Sequence, residues 1–282
     1  MTELSAAKLS IRPGRLPAGG RVLDVGCGDG RHLAAAAARG CRATGIDYDA
    51  AALREARRRL SAPLDVLVAD AAHLPFRDRA FDAVICTETL EHLPDDAGAM
   101  REIARVLTAG GELHGAVPSH FTELVYFALS RGYRDAPGGH VRIYAPRVLV
   151  RRLAAAGLAV RSFDYVHFVD SLLWLRFCLT DLARGSRRPR SDFEAAVLVA
   201  VALERPVPMW RRRLRAALGR SRFIAALEVA GALVWPKSLT FVARKSAVGR
   251  KDSLSRTGIP RSVRGPQARV QADRSEDLPL RL

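Results

Sequence analysis

Three alternating glycines, Gly26, Gly28 and Gly30, close the run Val22-Leu23-Asp24-Val25-Gly26-Cys27-Gly28-Asp29-Gly30, where an apolar segment turns into an alanine-rich one. Glycine adopts positive φ and carries no Cβ, so a ligand can lie against the backbone of such a turn and the amides that open the next helix. Tight turns also select glycine for packing alone, so the loop gains meaning only from the acids beyond it. Gly45-Ile46-Asp47 sets a carboxylate at the end of a second apolar run, 21 positions after Gly26. There it can accept both hydroxyls of an adenosine ribose, although it could also cap the following helix, a role Asp49 suits better. A third acid, Asp70, follows a third such run. Its carboxylate can accept an adenine amine while the Ala71 amide donates to a ring nitrogen, or it can cap a turn.

Candidate acids and bases come after two later runs. His92 lies in a Glu-His-Leu turn and reads as architectural, and His120 follows Pro118-Ser119. In His140-Val-Arg142-Ile-Tyr144, the alternate residues would share one side of an extended segment, where His140 and Tyr144 could serve as catalysts and Arg142 as an acceptor contact. Arg142 could equally pair with an acid while Tyr144 walls a pocket. The segment Leu172-Leu173-Trp174-Leu175 with Phe177, Cys178, Leu179 and Leu182 is apolar almost all round. Such a helix is buried or packs on something greasy, which makes Trp174 a candidate acceptor contact. No His, Cys or carboxylate group shows metal-ligand spacing, so no metal is expected.

The elements that must position these residues alternate between strand-like and helix-like runs, the mark of an α/β fold with a parallel sheet covered on both faces. Strands are expected at 21–25, 42–47, 65–69, 81–87, 111–118, 158–168 and 238–244, and helices at 31–39, 50–60, 97–107 and 146–156. Two stretches interrupt the alternation, 119–144 and 171–236, and both leave the carboxyl end of a strand, the ligand edge of such sheets. The second holds candidate helices at 171–184, 191–204, 209–218 and 221–235. The end, from Arg244, carries ten basic and four acidic residues without apolar periodicity, which predicts a disordered basic tail.

The 282 residues are 49% hydrophobic, enough for a real core, and 45 basic against 29 acidic residues give +16. Only four of the basic residues are lysines, Lys8, Lys237, Lys245 and Lys251, so the excess reflects a preference for arginine more than a nucleic-acid face. The four cysteines match neither a disulfide framework nor a zinc site. With no signal sequence and no run of 18 apolar residues to span a bilayer, a cytoplasmic protein is expected, with peripheral membrane contact through the apolar insertion as an option. Oligomeric state is not legible.

Taken together, Leu23-Asp-Val-Gly-Cys-Gly-Asp-Gly30, Gly45-Ile-Asp47, Asp70-Ala-Ala-His-Leu-Pro-Phe76, Phe81-Asp-Ala-Val-Ile85, Leu90-Glu-His-Leu-Pro94, Arg105-Val-Leu-Thr-Ala-Gly-Gly111 and Val117-Pro118 resemble class I S-adenosylmethionine-dependent methyltransferases, in particular the small-molecule type that includes the quinone-biosynthesis enzymes. The resemblance covers roughly half the chain. It implies a doubly wound, Rossmann-like seven-stranded sheet with an antiparallel last strand and a helical insertion before it. It also implies S-adenosylmethionine as cofactor. Gly26, Gly28 and Gly30 would pack under its methionine part, Asp24 near its amino group, Asp47 on the ribose, Asp70 and Ala71 on the adenine, and Thr87 near the sulfonium. The expected organisation is an extension at 1–20, a methyltransferase core at 21–170 and 237–245, a helical cap at 171–236 and the tail at 246–282. The expected reaction is methyl transfer to a small, hydrophobic or lipid-like acceptor. The competing readings are a nucleic-acid methyltransferase or RNA-binding protein, encouraged by the charge, and a nicotinamide-dependent oxidoreductase, which the Gly-x-Gly-x-Gly spacing disfavours.

Overall fold

The computed structural model describes residues 9–59, 65–136, 139–183 and 229–246. Seven strands, β1 (Arg21–Val25), β2 (Arg42–Asp47), β3 (Asp65–Val68), β4 (Phe81–Thr87), β5 (Leu107–Pro118), β6 (Leu158–Val166) and β7 (Ser238–Lys245), form one sheet in the order β3-β2-β1-β4-β5-β7-β6. Parallel neighbours need crossovers, and helices α1 (Arg31–Ala38), α2 (Ala50–Arg59), α3 (Asp96–Val106) and α6 (Pro146–Ala155) supply cover. The central strand β1 is buried from Val22 to Val25, as expected of a strand covered on both faces. Leu23 and Val25 pack with Met100 and Ile103 of α3 and Leu149 and Leu153 of α6. Val22 packs on the other face with Ala36 of α1 and with Ile11 and Leu16 of the amino-terminal segment.

The chain winds outward from β1 through β2 to β3, then returns to β4 on the other side of β1. A crevice therefore opens at the carboxyl ends of β1 and β4, where strand order reverses. Strand β7 runs antiparallel between β5 and β6, with Ser238 opposite both Pro118 and Val166. This reversal carries the start of β7 to the same edge as the ends of β5 and β6. Lys237 is fixed there from both sides, its carbonyl accepting from Ser119 N at 2.8 Å and its amide donating to Val166 O at 3.1 Å. The pairing is close at Gly115, where a Cβ would lie 2.2 Å from the Phe241 ring.

The alternation anticipated all seven strands; β3 and β7 end one residue from the expected position, and β5 and β6 differ by more. β6 ends at Val166 because His167 turns into the left-handed region, φ 67°, and α7 (Phe168–Ala183) starts at once, earlier than the expected Ser171. β5 starts at Leu107, which pairs with Phe81 ahead of a bulge. The 119–144 stretch contains α4 (His120–Leu129) and the short α5 (Arg131–Arg134), and α4 is tied to α7 by Tyr126 donating to Ser171 O at 2.7 Å. Residues 229–234 are helical. The expected helices at 191–204 and 209–218, most of 221–235 and nearly all of the tail lie outside the described residues, as do residues 1–8 of the extension. Among the described residues no helix is long and apolar enough to cross a membrane.

Candidate active site

The glycine loop is tied to the end of β2 by main-chain bonds. Gly26 and Cys27 amides donate to Ile46 O at 2.8 and 2.9 Å, and Gly28 N donates to Asp47 Oδ2 at 2.9 Å. Gly26, Gly28 and Gly30 have φ of 70°, 49° and 77°, a conformation that L side chains adopt at a cost. A Cβ on Gly26 would also strike Thr89, whereas none of the surrounding atoms comes within 4 Å of one on Gly28. The loop is closed below and open above. Asp47 holds it with one oxygen and accepts Asp49 N with the other, and the neighbouring Tyr48 is 80% exposed.

Beneath the loop, Asp24 is fully buried, and neither carboxylate oxygen has a hydrogen-bond partner. Burial first, then the carboxylates of Asp47 and Asp29, push its pKa up to about 8. A carboxyl group kept in this state calls for a cationic or donor partner from a ligand.

A cavity of about 480 Å³ opens at the sheet's carboxyl edge and is lined by Gly26, Gly28, Thr87, Glu88, Trp174 and Lys237, among others. Thr87 Oγ1 lies 3.2 Å from His32 Nδ1. Burial, helped by Arg31, lowers the His32 pKa to about 4, so the ring is neutral near pH 7. Leu173, Trp174 and Phe177 of α7 form an apolar wall, with the Trp174 ring edge-on to Tyr133 at 5.2 Å and Phe177 at 5.7 Å. Glu88, His167, Asp170 and Lys237 form the polar part of the lining. Glu88 Oε2 lies 3.5 Å from Lys237 Nζ. Burial disfavours both charges, yet the pair outweighs it, keeping Glu88 below and Lys237 above their ordinary values. Glu88 and His167 are two of three non-glycine residues with positive φ among those described. Strained backbone of this kind concentrates where function fixes it.

The structure distributes the other sequence candidates differently. Asp70 lies on the loop after β3, 59% exposed in its side chain, where it caps a turn through Ala72 N and contacts His73 Nδ1 at 2.8 Å. Ala71 beside it is buried. The His140, Arg142 and Tyr144 side chains do not enter the cavity lining. The 140–145 segment is irregular, not a strand, so His140 parts from the other two, while Arg142 and Tyr144 meet on Asp96, the pairing of Arg142 with an acid that was the alternative reading. His140 bonds Glu123, Arg142 bonds the carbonyls of Leu93 and Pro94, and the buried Tyr144 donates to Asp96 Oδ2 at 2.5 Å. His120 opens α4, with its Nδ1 buried and unpartnered, outside that lining.

Folding also makes a grouping that spacing hides. Ligand atoms of Glu91, His92 and His140 lie within 4.8 Å of one another and could hold a cation. Glu91 is buried with both oxygens unpartnered, and burial, then Glu88, raises its pKa well above the usual range.

Sequence reasoning missed Glu88, His167, Asp170 and Lys237. Lys237 had left a trace, as one of four lysines in an arginine-rich chain and the residue just ahead of the last strand. His167 was concealed inside an expected strand.

Comparison with known proteins agrees with this architecture. The family model described as a methyltransferase domain matches residues 23–114. A ubiquinone biosynthesis O-methyltransferase of Chromobacterium violaceum is 42% identical over 164 residues, 52% of this chain and 68% of that protein. A 27-O-demethylrifamycin SV methyltransferase of Amycolatopsis mediterranei is 41% identical over 119 residues, 40% of this chain and only 42% of its own length. Among solved structures, a chain from a complex between a Haloferax volcanii methyltransferase and its Trm112 activator superposes with a TM-score of 0.53 at 22% identity, covering 83% of this chain and 87% of the other, a likeness of fold.

Proposed function

Because this chain belongs to the class I S-adenosylmethionine-dependent methyltransferases, with S-adenosylmethionine as methyl donor, we propose that it methylates a hydroxyl of a small, largely apolar acceptor. The observation that carries this reading is the two-sided cavity, with Leu173, Trp174 and Phe177 along one wall and Glu88, His167 and Lys237 among its polar lining. Such a site suits a greasy body with one polar reacting group. Both relatives named above are methyltransferases of small molecules by their names, and one is an O-methyltransferase, which supports the same class of acceptor.

The residues present fit the cofactor. The unpartnered, buried Asp24 offers a carboxylate to an ammonium, and the open face above Gly28 leaves room for a ligand against the backbone. We assign Gly26, Gly28, Gly30 and Asp24 to the methionine part, Asp47 to the ribose hydroxyls, Asp70 and Ala71 to the adenine, and Thr87 to the neighbourhood of the sulfonium. When bound, S-adenosylmethionine supplies an electrophilic methyl group. The chain's contribution is to hold the acceptor in line with it and to exclude water, which can supply much of the rate. Trp174 and its neighbours on α7 would exclude water and position the acceptor. The organisation proposed from the sequence, a core at 21–170 and 237–245 with a cap at 171–236, puts this wall in the cap.

Incubation with S-adenosylmethionine labelled in its methyl group, against a panel of alkylphenols and catechols and separately against total RNA, tests the reading. Label in an ether product of a phenol is expected. Label in RNA alone would overturn it in favour of nucleic-acid methylation.

A further inference from the structure

We propose that His167 is the general base of the reaction, taking the proton from the acceptor hydroxyl; this rests on the hydroxyl acceptor proposed above. His167 follows β6 at the ligand edge and lines the cavity with Thr87, Glu88 and Trp174. The two ring nitrogens face different kinds of group. Nδ1 lies 3.9 Å from Asp170 Oδ2, three residues on in the first turn of α7, and Nε2 lies 3.3 Å from the Ser10 hydroxyl, also in the cavity wall. A base is served by this arrangement, a carboxylate close enough to one nitrogen to favour the protonated ring and a hydroxyl within reach of the other. Ser10 demonstrates the reach, and the acceptor hydroxyl would approach along the same direction.

The backbone supports the assignment. His167 has φ 67°, a conformation glycine adopts more readily. Neighbours on both sides hold it there: Lys237 N donates to Val166 O at 3.1 Å and Ser171 N to His167 O at 3.0 Å. The left-handed turn ends β6 and starts α7, which brings His167 and Trp174 into one lining.

The other imidazoles are less suited. His32, between Thr87 Oγ1 and Ser10 N, is poorly basic through burial. His140 faces Glu123, and His120 lies outside the lining. The titratable groups around His167 come from four elements: Asp170 on α7, Glu88 after β4, Lys237 before β7 and the neutral His32 on α1. The two carboxylates favour an imidazolium and Lys237 opposes it, so a proton taken up here is partly neutralised at once.

In the step, a lone pair of the acceptor oxygen forms the new bond to the methyl carbon while the carbon–sulfur pair withdraws onto sulfur, leaving a neutral thioether. The O–H proton passes to His167 Nε2, and the imidazolium returns it to water after product leaves.

The full chain is assayed with methyl-labelled S-adenosylmethionine and a series of 4-substituted phenols spanning alkylphenols to nitrophenols. Wild type should show a kcat that rises with pH through the range of an imidazole. His167→Gln should keep S-adenosylhomocysteine affinity within about twofold, lose about 10²–10⁴ in kcat on alkylphenols and lose that limb. On nitrophenols already ionised at the assay pH the deficit should shrink, which a structural defect would not produce. Asp170→Asn should move the limb to lower pH, because a carboxylate that favours the imidazolium is gone. A His167→Gln enzyme with wild-type kcat and an intact limb overturns the base, as does a deficit equal for all phenols. A wild type that methylates none of the phenols overturns the hydroxyl-acceptor reading itself, and His167 falls with it.

Discussion

Glu88 and Lys237 stand 149 positions apart in the chain and 3.5 Å apart at the cavity wall. One directly follows β4, the strand beside β1, and the other directly precedes β7, so the pair exists only because β7 is inserted antiparallel between β5 and β6. Along one carboxyl edge it joins the strand ends beside the glycine loop to those from which α7 departs.

Breaking this pair should cost stability in a pH-dependent way. Side-chain exposures of 28% and 29% place the pair between a surface and a buried bridge, so Lys237→Met should cost on the order of 1–2 kcal/mol, below the ~3–5 kcal/mol of fully buried pairs. Glu88 is held below its ordinary 4.5. A depressed carboxylate stabilises the fold above its unfolded pKa, and that contribution is lost as pH falls through the folded value. The Tm difference between wild type and Lys237→Met should therefore be full at pH 7 and narrow below about pH 4.5. A difference constant from pH 7 to pH 3 would remove the pair as its cause.

Asp24 makes the opposite prediction. Its pKa is raised to about 8, by burial first. The unfolded chain ionises it near pH 4 while the folded one does not, so the site's stabilising effect is complete below that and erodes as pH rises toward 8. Asp24→Asn should thus raise the Tm of the ligand-free protein at pH 8, by roughly 2–4 °C for each kcal/mol gained. The same variant should bind S-adenosylhomocysteine more weakly, because the amide offers no charge to an ammonium. In the wild type, binding at pH 7 should release a proton as the ammonium draws the carboxyl into its ionised form. Calorimetry in buffers of different ionisation enthalpy reads this, and zero release would show that Asp24 does not meet the ligand's cation.

Asp47 has two duties that can be separated. Its Oδ2 holds Gly28 N, and its Oδ1 accepts Asp49 N. Asp47→Asn keeps an acceptor for the loop but removes the charge offered to the ribose hydroxyls, a charge-assisted interaction of about 1.5–3 kcal/mol. S-adenosylhomocysteine affinity should fall at least tenfold, with only a small fall in Tm from the exposed Asp49 amide that loses its acceptor. Tyr48→Ala, on a ring 80% exposed beside it, should weaken binding by a smaller factor if the ring stacks on adenine. Unchanged affinity in a folded Asp47→Asn protein would sink the ribose assignment.

How far the sequence disclosed this site depended on how locally each part is encoded. The glycine loop and Asp47 lie within one strand–helix–strand unit, so their spacing alone carried their relation. The strand order needed only the alternation of apolar runs. His140, Arg142 and Tyr144 were grouped because alternate residues share a side, but that holds in a strand; in this irregular segment Arg142 and Tyr144 stay together on Asp96 and Leu90 O, while His140 turns away to Glu123. Glu88, His167 and Lys237 come from three different strand ends joined by an antiparallel insertion, a relation no local spacing contains.

Trp174 is the sequence candidate whose position most directly concerns the acceptor. It lies on the cavity wall, half-buried, edge-on to Tyr133 and Phe177. Tyr133 is in turn fixed by its hydroxyl to both oxygens of Glu123 at 3.1 Å, so the indole rests on a rigid support. The glycine loop belongs to β1 and α1 and makes no use of this support. Trp174→Ala should therefore leave S-adenosylhomocysteine affinity within about twofold while lowering kcat/KM for a phenolic acceptor by roughly 10–100-fold, the worth of ~1.4–2.7 kcal/mol of lost apolar contact and positioning. Trp174→Phe, which keeps an aromatic edge toward Tyr133, should recover most of the loss. Equal falls in cofactor affinity, acceptor turnover and Tm would instead mark Trp174 as a packing residue whose removal loosens α7 as a whole. The phenylalanine variant decides between these, because a packing defect would be relieved in Tm as much as in turnover, whereas an acceptor wall would be relieved in turnover alone.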